Sequence, residues 1–257
     1  MSATPAWPPK SAPRLFVSPP LSPGETRAID GPAAHYLARV MRVAPGDAVI
    51  LCDDATGEWA ARVASAGRRD VTVEVVERLR VREEVPDLTL CAALLKKDRF
   101  DLVLEKACEL GVRRIAPVIT HRCVADKLNL ERARAVLIEA AEQCARTALP
   151  VLEAPVKLGA LLAAWEADRT LFFADEVRDG QPAALAFARP GPAAILVGPE
   201  GGFDDGERGA IRALPSARAV SLGPRILRGE TAAIAATALW MGVTGDWCGA
   251  SSVPPGK

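Results

Sequence analysis

The sequence predicts an α/β protein in two parts: a small N-terminal β-barrel, then a larger domain built on a parallel sheet. Three observations carry this expectation. Between Arg14 and Val76, short apolar stretches with period-two alternation are separated by turn residues, the pattern of strands in a small barrel. From Leu88 onward, near-continuous apolar runs alternate with helical stretches, the pattern of a parallel sheet covered by helices on both faces. Within residues 195–232, two glycine-rich turns each follow a short apolar strand and each feed a helix, which is how ligand sites form at strand carboxyl ends.

In chain order, strands are expected over residues 15–17, over 48–51 after the Pro45-Gly46-Asp47 turn, over 59–63 and over 71–76. One helix, 32–42, interrupts them, with Pro32 at its start and His35, Arg39 and Arg42 sharing a face. On the residues alone that face reads as solvated charge. The charged stretch 82–87 marks a boundary, giving a barrel over residues 14–82 and a second domain over 87–247. There the pattern predicts a strand over 88–95, a helix over 99–110 that stops at Gly111, a strand over 115–119 and a helix over 130–145. Strands over 171–173, 194–197 and 219–222 follow, with helices near Ala184, from Asp205 and from Glu230. The last helix is apolar on nearly every side as far as Met241 and is expected to be buried.

Composition narrows the function. The chain of 257 residues is long enough to bury a full core, and its 32 basic and 32 acidic residues cancel, so any nucleic-acid contact must be local. The six cysteines are scattered without a C-x-x-C pair and the two histidines, His35 and His121, lie far apart, so no metal site is expected. Residues 1–13 carry four prolines and no apolar core segment, which predicts neither a signal peptide nor a membrane span. A cytoplasmic protein with reduced thiols is expected, and residues 1–13 and 248–257 are expected to be flexible tails.

Glycine-rich strand-to-helix turns most often bind phosphate through backbone N–H groups. The first turn, Val197-Gly198-Pro199-Glu200-Gly201-Gly202-Phe203, lacks both the Gly-Lys-Ser/Thr ending and the Gly-x-Gly-x-x-Gly spacing. It also places Glu200 in the turn, with Asp204, Asp205 and Glu207 directly after, so a neutral or cationic ligand suits it better. Such a ligand is expected against the strand ends at Ala174, Val197 and Leu222. The contact set is Ala174, Val197, Gly198, Pro199, Glu200, Gly201, Ser221, Leu222, Gly223, Ile226 and Leu227.

The two turns, Gly-Pro-Glu-Gly-Gly at 198–202 and Leu-Gly-Pro-Arg-Ile-Leu-Arg-x-Glu-Thr-Ala at 222–232, together resemble the signature of the RsmE family within the SPOUT methyltransferases. Weaker blocks continue the resemblance from about residue 14 to 247, among them His35-Tyr36-Leu37-x-Arg39-Val40-Met41-Arg42, Leu95-Lys96-x-Asp98-Arg99 and Glu139-Ala140-Ala141-Glu142-Gln143-x-x-Arg146. Three positions depart from the family pattern: Lys97 stands in place of the usual Gly, Cys123 where Ser is common, and Gly229 where Thr or Ala is frequent.

The resemblance implies a SPOUT domain with a trefoil knot, preceded by a PUA-like RNA-binding barrel. It implies S-adenosyl-L-methionine as methyl donor, no metal, and N3 of one uridine in small-subunit ribosomal RNA as acceptor. The partners it implies are ribosomal RNA or the small-subunit particle and a second copy of the chain, with no membrane; Ala236 is expected at or near the dimer contact. RNA contacts are expected from Arg14, Arg39, Arg42, Lys96, Arg99, Arg122 and Arg146. Arg228 is expected to stabilise the developing uracil anion as a fixed cation, and Glu230 to act either as base or as a first-turn complement to the helix dipole. Two readings from other classes compete, as does a SPOUT methyltransferase acting on another RNA. A non-catalytic RNA-binding protein would keep the barrel but would not need both turns, and a nucleotide-dependent oxidoreductase would need the dinucleotide fingerprint, which is absent.

Overall fold

Val71, Val73 and Val75 are buried while Thr72, Glu74 and Val76 face outward, and this alternation sets the register of the first sheet. The computed structural model describes residues 7–67, 70–175 and 180–248. Their first sheet comprises β1 (Arg14–Phe16), β2 (Thr26–Ile29), β3 (Ala48–Asp53), β4 (Gly57–Ala66) and β5 (Val71–Arg80), in the order β1-β3-β4-β5-β2. β1 and β3 run parallel; the other pairs are antiparallel. Three irregularities in the β4–β5 register, such as that between Val63 and Ser65, curl the sheet into a PUA-like barrel around Leu15, Leu37, Val49, Leu51, Trp59 and the three valines. At the β3–β4 turn Gly57 has φ +110°, and a Cβ there would meet the Arg80 carbonyl oxygen, so only glycine fits.

The helix expected over 32–42 is present over 31–41 and changes pitch. α1 (Gly31–His35) passes into a π-helical turn, Tyr36–Met41, that ends with Arg42 at φ 55°. Only Ala34 and Leu37 are buried, while Arg39, Val40 and Arg42 are exposed. The strand β2 was not legible, because Thr26-Arg27-Ala28-Ile29 carries one buried residue, Ile29. Residues 1–6 and 249–257 of the expected tails lie outside the described residues. From Trp7 on the chain already makes contacts: Arg62 lies 5.1 Å over the Trp7 ring, and the Ala12 N–H bonds the Pro9 oxygen at 2.9 Å.

The chain divides into two compact units, Met1–Glu84 with Ala141–Leu149, and Val85–Ala140 with Pro150–Lys257. The return of Ala141–Leu149 to the first unit has a local cause. The Glu83 carboxylate accepts the N–H groups of Thr147 (2.6 Å) and Ala148 (3.1 Å), and Arg80 donates to the Ala145 oxygen at 2.7 Å.

In the second unit β6 (Leu88–Ala93) leads through α2 (Lys97–Glu109) to β7 (Arg114–Ile119), α3 (Leu130–Cys144), β8 (Val151–Leu152), β9 (Val156–Lys157) and α4 (Leu158–Ala163). Then come β10 (Thr170–Ala174), β11 (Gln181–Pro182), α5 (Ala183–Ala186), β12 (Ala193–Val197), α6 (Asp205–Ala213), β13 (Ala217–Ser221) and α7 (Gly229–Val243). The sheet order is β11-β13-β10-β12-β6-β7-β8, with β9 also on β7, and every pair is parallel. β6 and β12 are buried along their whole lengths, as strands covered on both faces must be.

In α7, Ala232, Ala233, Ala236, Thr237, Trp240 and Met241 are buried within the chain itself, while Ala235, Ala238 and Leu239 are half-buried and Thr231 and Gly242 exposed. Ala236 is therefore core, not surface: its 0% exposure overturns the expectation that it meets a second copy. Among the described residues no helix is long and apolar enough to cross a membrane.

Candidate functional site

β13, β10 and β12 are neighbours, so their carboxyl ends at Ser221, Ala174 and Val197 lie side by side. The loops leaving them enclose an open cavity of about 210 Å³. Of the contact set expected from the sequence, all but Ser221 line it. Ser221 is half-buried, and its Oγ accepts the Gly223 N–H at 3.4 Å. Asp175, Gly202, Val220, Arg225, Gly229 and Ala232 also line the cavity outside that set: four of them lie within the two glycine motifs, and Asp175 and Val220 directly adjoin the expected contacts Ala174 and Ser221.

The walls are lined by glycines among mostly apolar residues, and close approach explains three of the glycines. A Cβ on Gly198 would lie 3.1 Å from the Phe203 ring, and one on Gly201 3.2 Å from Arg122 Cβ. One on Gly229 would lie 3.1 Å from Leu95 Cδ2 and 3.3 Å from the Gly198 oxygen, so glycine at this variable place lets α7 begin directly against the first turn. Gly202, at φ 67°, bonds the Pro199 oxygen through its N–H at 2.9 Å. Asp204 and Glu207 then start α6 with a capping box, each side chain accepting the other's backbone N–H, at 2.7 and 3.1 Å.

Charged side chains surround the turns without filling the cavity. Arg99 donates to Glu200 Oε1 at 2.6 Å and lies 3.8 Å from Glu230 Oε1, so it spans both glycine-rich segments. Arg122 donates to the Gly201 oxygen at 2.7 Å and the Phe203 oxygen at 3.4 Å. The carboxylate of Asp175, with no exposed side-chain surface, is held by Arg208 and Arg212, each at 3.1 Å. Beside them, His121 Nδ1 pairs with Asp204 Oδ2 at 2.5 Å and the His121 N–H donates to Glu207 at 2.8 Å. The Asp204 hydrogen bond and charge hold the His121 imidazolium, so its pKa is raised above the ordinary histidine value.

These pairings locate the arginines expected at RNA. Arg99 and Arg122 bond the pocket turn. Arg14 donates to the buried Glu58 carboxylate at 2.9 and 2.6 Å, in an ion pair that Arg80 shares. Arg146 is only 5% exposed, so its guanidinium is not presented to a phosphate. Arg39, Arg42, Lys96 and Arg122 are exposed. Arg228, exposed at the N-cap of α7, and Glu230, buried in its first turn, lie next to lining residues without lining the cavity themselves. Glu230 Oε2 is buried, with no hydrogen-bond partner among the described residues.

Comparison with known proteins agrees with this geometry. Residues 82–241 match the RNA methyltransferase domain model and residues 29–76 the RNA methyltransferase PUA domain model. The ribosomal RNA small subunit methyltransferase E of Rickettsia conorii is 31% identical over 79% of this chain and 84% of its own length. The chain belongs to this methyltransferase family. The protein of that name from Mycobacterium bovis is likewise 31% identical, over 89% of the chain and 91% of its own length. Among solved structures, family member ribosomal RNA small subunit methyltransferase E from Neisseria gonorrhoeae, bound to S-adenosyl methionine, superposes with a TM-score of 0.84 at 29% identity, covering 92% of this chain and 99% of that one. A methyltransferase from Legionella pneumophila in complex with the same cofactor gives 0.84 at 28% identity, covering 91% and 99%.

Proposed function

We propose that the chain transfers the methyl group of S-adenosylmethionine to N3 of a uridine in small-subunit ribosomal RNA. One observation of the structure carries the donor assignment: a cavity at three adjacent strand ends lined by glycines among mostly apolar residues, where a Cβ on Gly198, Gly201 or Gly229 would crowd its neighbours. Backbone N–H and C=O groups read an adenine edge without polar side chains, and the family's cofactor-bound structures support the same ligand. The reading includes a trefoil threading of the loops after β10, β12 and β13. It also keeps the domain division at residues 82–87, with the barrel as the RNA-binding part, in a cytoplasmic protein.

When bound, the donor supplies an electrophilic methyl on a cationic sulfur. The chain's own task is to orient the uracil and stabilise the charge left when the N3 proton departs. Arg228, whose exposed place at the N-cap of α7 between the lining residues Leu227 and Gly229 supports this role, neutralises that charge as a fixed cation. The burial of Glu230 in the first turn of α7 supports the dipole role over that of base, because Oε2 is not open to solvent. Holding the reactants in line supplies the remaining acceleration.

The test is mass spectrometry of nucleosides after incubating the protein with unmodified small-subunit particles and labelled donor. Label in 3-methyluridine, lost in Arg228→Ala while donor binding persists, is the expected result. Label in another nucleoside would move the acceptor, and donor binding without any transfer would leave the non-catalytic reading.

A further inference from the structure

We propose that Arg122 is a positioning residue of the donor pocket, bracing the Val197–Phe203 turn from behind, and that it does not contact RNA. The inference rests on the S-adenosylmethionine reading of that pocket and adds to it the device that gives a flexible turn its shape.

A turn with glycine at 198, 201 and 202 has no side chains of its own to hold it there, and glycine loses more backbone freedom on ordering than any other residue. The structure fixes this turn from outside. Arg122 Nη1 donates to the Gly201 oxygen at 2.7 Å and reaches the Phe203 oxygen at 3.4 Å. Its aliphatic stem closes the space beside Gly201, with Cβ and Cδ at 3.2 and 3.4 Å from where a Cβ would stand. Arg208 donates to the same Phe203 oxygen at 3.2 Å and to Asp175, after β10, at 3.1 Å.

The platform that carries Arg122 is itself tied down. The Cys123 N–H bonds the Thr120 oxygen at 3.2 Å, and His121 engages Asp204 and Glu207 at the start of α6. Arg122 therefore links the end of β7 to the end of β12 through two carbonyls, and its stem packs against a glycine that lines the cavity. Bracing of this kind acts by removing the ordering cost of binding, so its loss falls on donor affinity and not on the chemical step or on RNA.

The experiment compares Arg122→Ala, Arg122→Gln and Arg122→Lys in the full chain. It measures donor Kd by calorimetry, donor KM and kcat with small-subunit particles, and RNA affinity against salt. In Arg122→Ala the donor Kd and KM should rise about tenfold, with kcat at saturating donor within about twofold of the parent and the RNA salt slope unchanged. Arg122→Lys, which keeps a charged donor on a flexible stem, should recover most of the donor affinity; Arg122→Gln should not. Unchanged donor Kd overturns the proposal, whether or not RNA affinity falls; a salt slope shallower by about one would in that case return Arg122 to the RNA. If Arg122→Ala does not fold, the Gln and Lys variants decide by the same criteria. A parent protein that binds no donor would refute the pocket's assignment itself, which is distinct from variants that match a donor-binding parent.

Discussion

Gly201 shows how one backbone position constrains the pocket. A Cβ there would stand 3.2 Å from Arg122 Cβ, so the branched side chain of Gly201→Val must displace Arg122, the turn or both. Donor affinity of a folded Gly201→Val protein should fall about tenfold or more, roughly 1.4 kcal/mol, by calorimetry. Equal affinity would place the donor elsewhere. Close by, His121 and Asp204 form a pair whose protonation can be followed directly. His121 is raised, first by the Asp204 hydrogen bond, so its contribution to stability is complete below the ordinary histidine value and lost as pH rises through its higher folded value. Asp204 is lowered, first by the Glu207 N–H and next by His121, so its contribution is present above the ordinary aspartate value and lost as pH falls through its lower folded one. In Asp204→Asn, which can still cap α6, the His121 midpoint measured by NMR should drop toward the ordinary histidine value. A midpoint unmoved by the substitution would show that the pair does not form in solution. Cys52 and Cys91 are sealed from this chemistry: burial pushes both thiols up to about 12, and neither should react with a thiol reagent in the native protein.

At the level of elements, α7 is where the apolar pattern was most legible and least sufficient. Its composition predicts burial, and Trp240, Met241, Ala233 and Ala236 are indeed core. What the pattern does not give is which arc remains uncovered. That arc holds Thr231, Ala235, Ala238, Leu239 and Gly242, small residues beside one large one, and it is the face on which we propose a second copy packs. Ala238→Arg should therefore give folded monomers by light scattering, with methylation lost, whereas Ala236→Arg should unfold the chain by introducing an unpaired charge into the core. A folded, active monomer of Ala238→Arg would remove the dimer from the mechanism. The helix over 32–42 teaches a related lesson: its charges and Pro32 announce a helix, but not the π-helical turn at Tyr36–Met41, whose Leu37 sits in the barrel core, or the left-handed Arg42 that ends it.

For the whole molecule, the balanced net charge leaves RNA binding to local groups. Arg14 is paired with Glu58 and Arg146 is buried, while Arg39 and Arg42 stay exposed on the PUA-like unit. Replacing both by alanine should flatten the salt dependence of RNA binding by about one unit of slope per arginine and leave donor affinity unchanged; an unaltered slope would make them solvated charge. Sequence alone determined the alternating strands of the first unit, the buried strands of the second and the two glycine turns, because side-chain periodicity and the demand for glycine are local properties of the chain. Short or weakly apolar elements such as β2, β8 and β9 escaped, since two to four residues carry too little periodicity to register. Only the tertiary structure decided what each arginine does. Arg14 finds Glu58 at a separation of 44 residues, Arg122 the Gly201 carbonyl at 79, and Arg99 the Glu200 carboxylate at 101. A sequence states that a residue is charged; the partner that neutralises it, and so whether the charge is left for a ligand, is fixed by which distant strand ends the fold brings together.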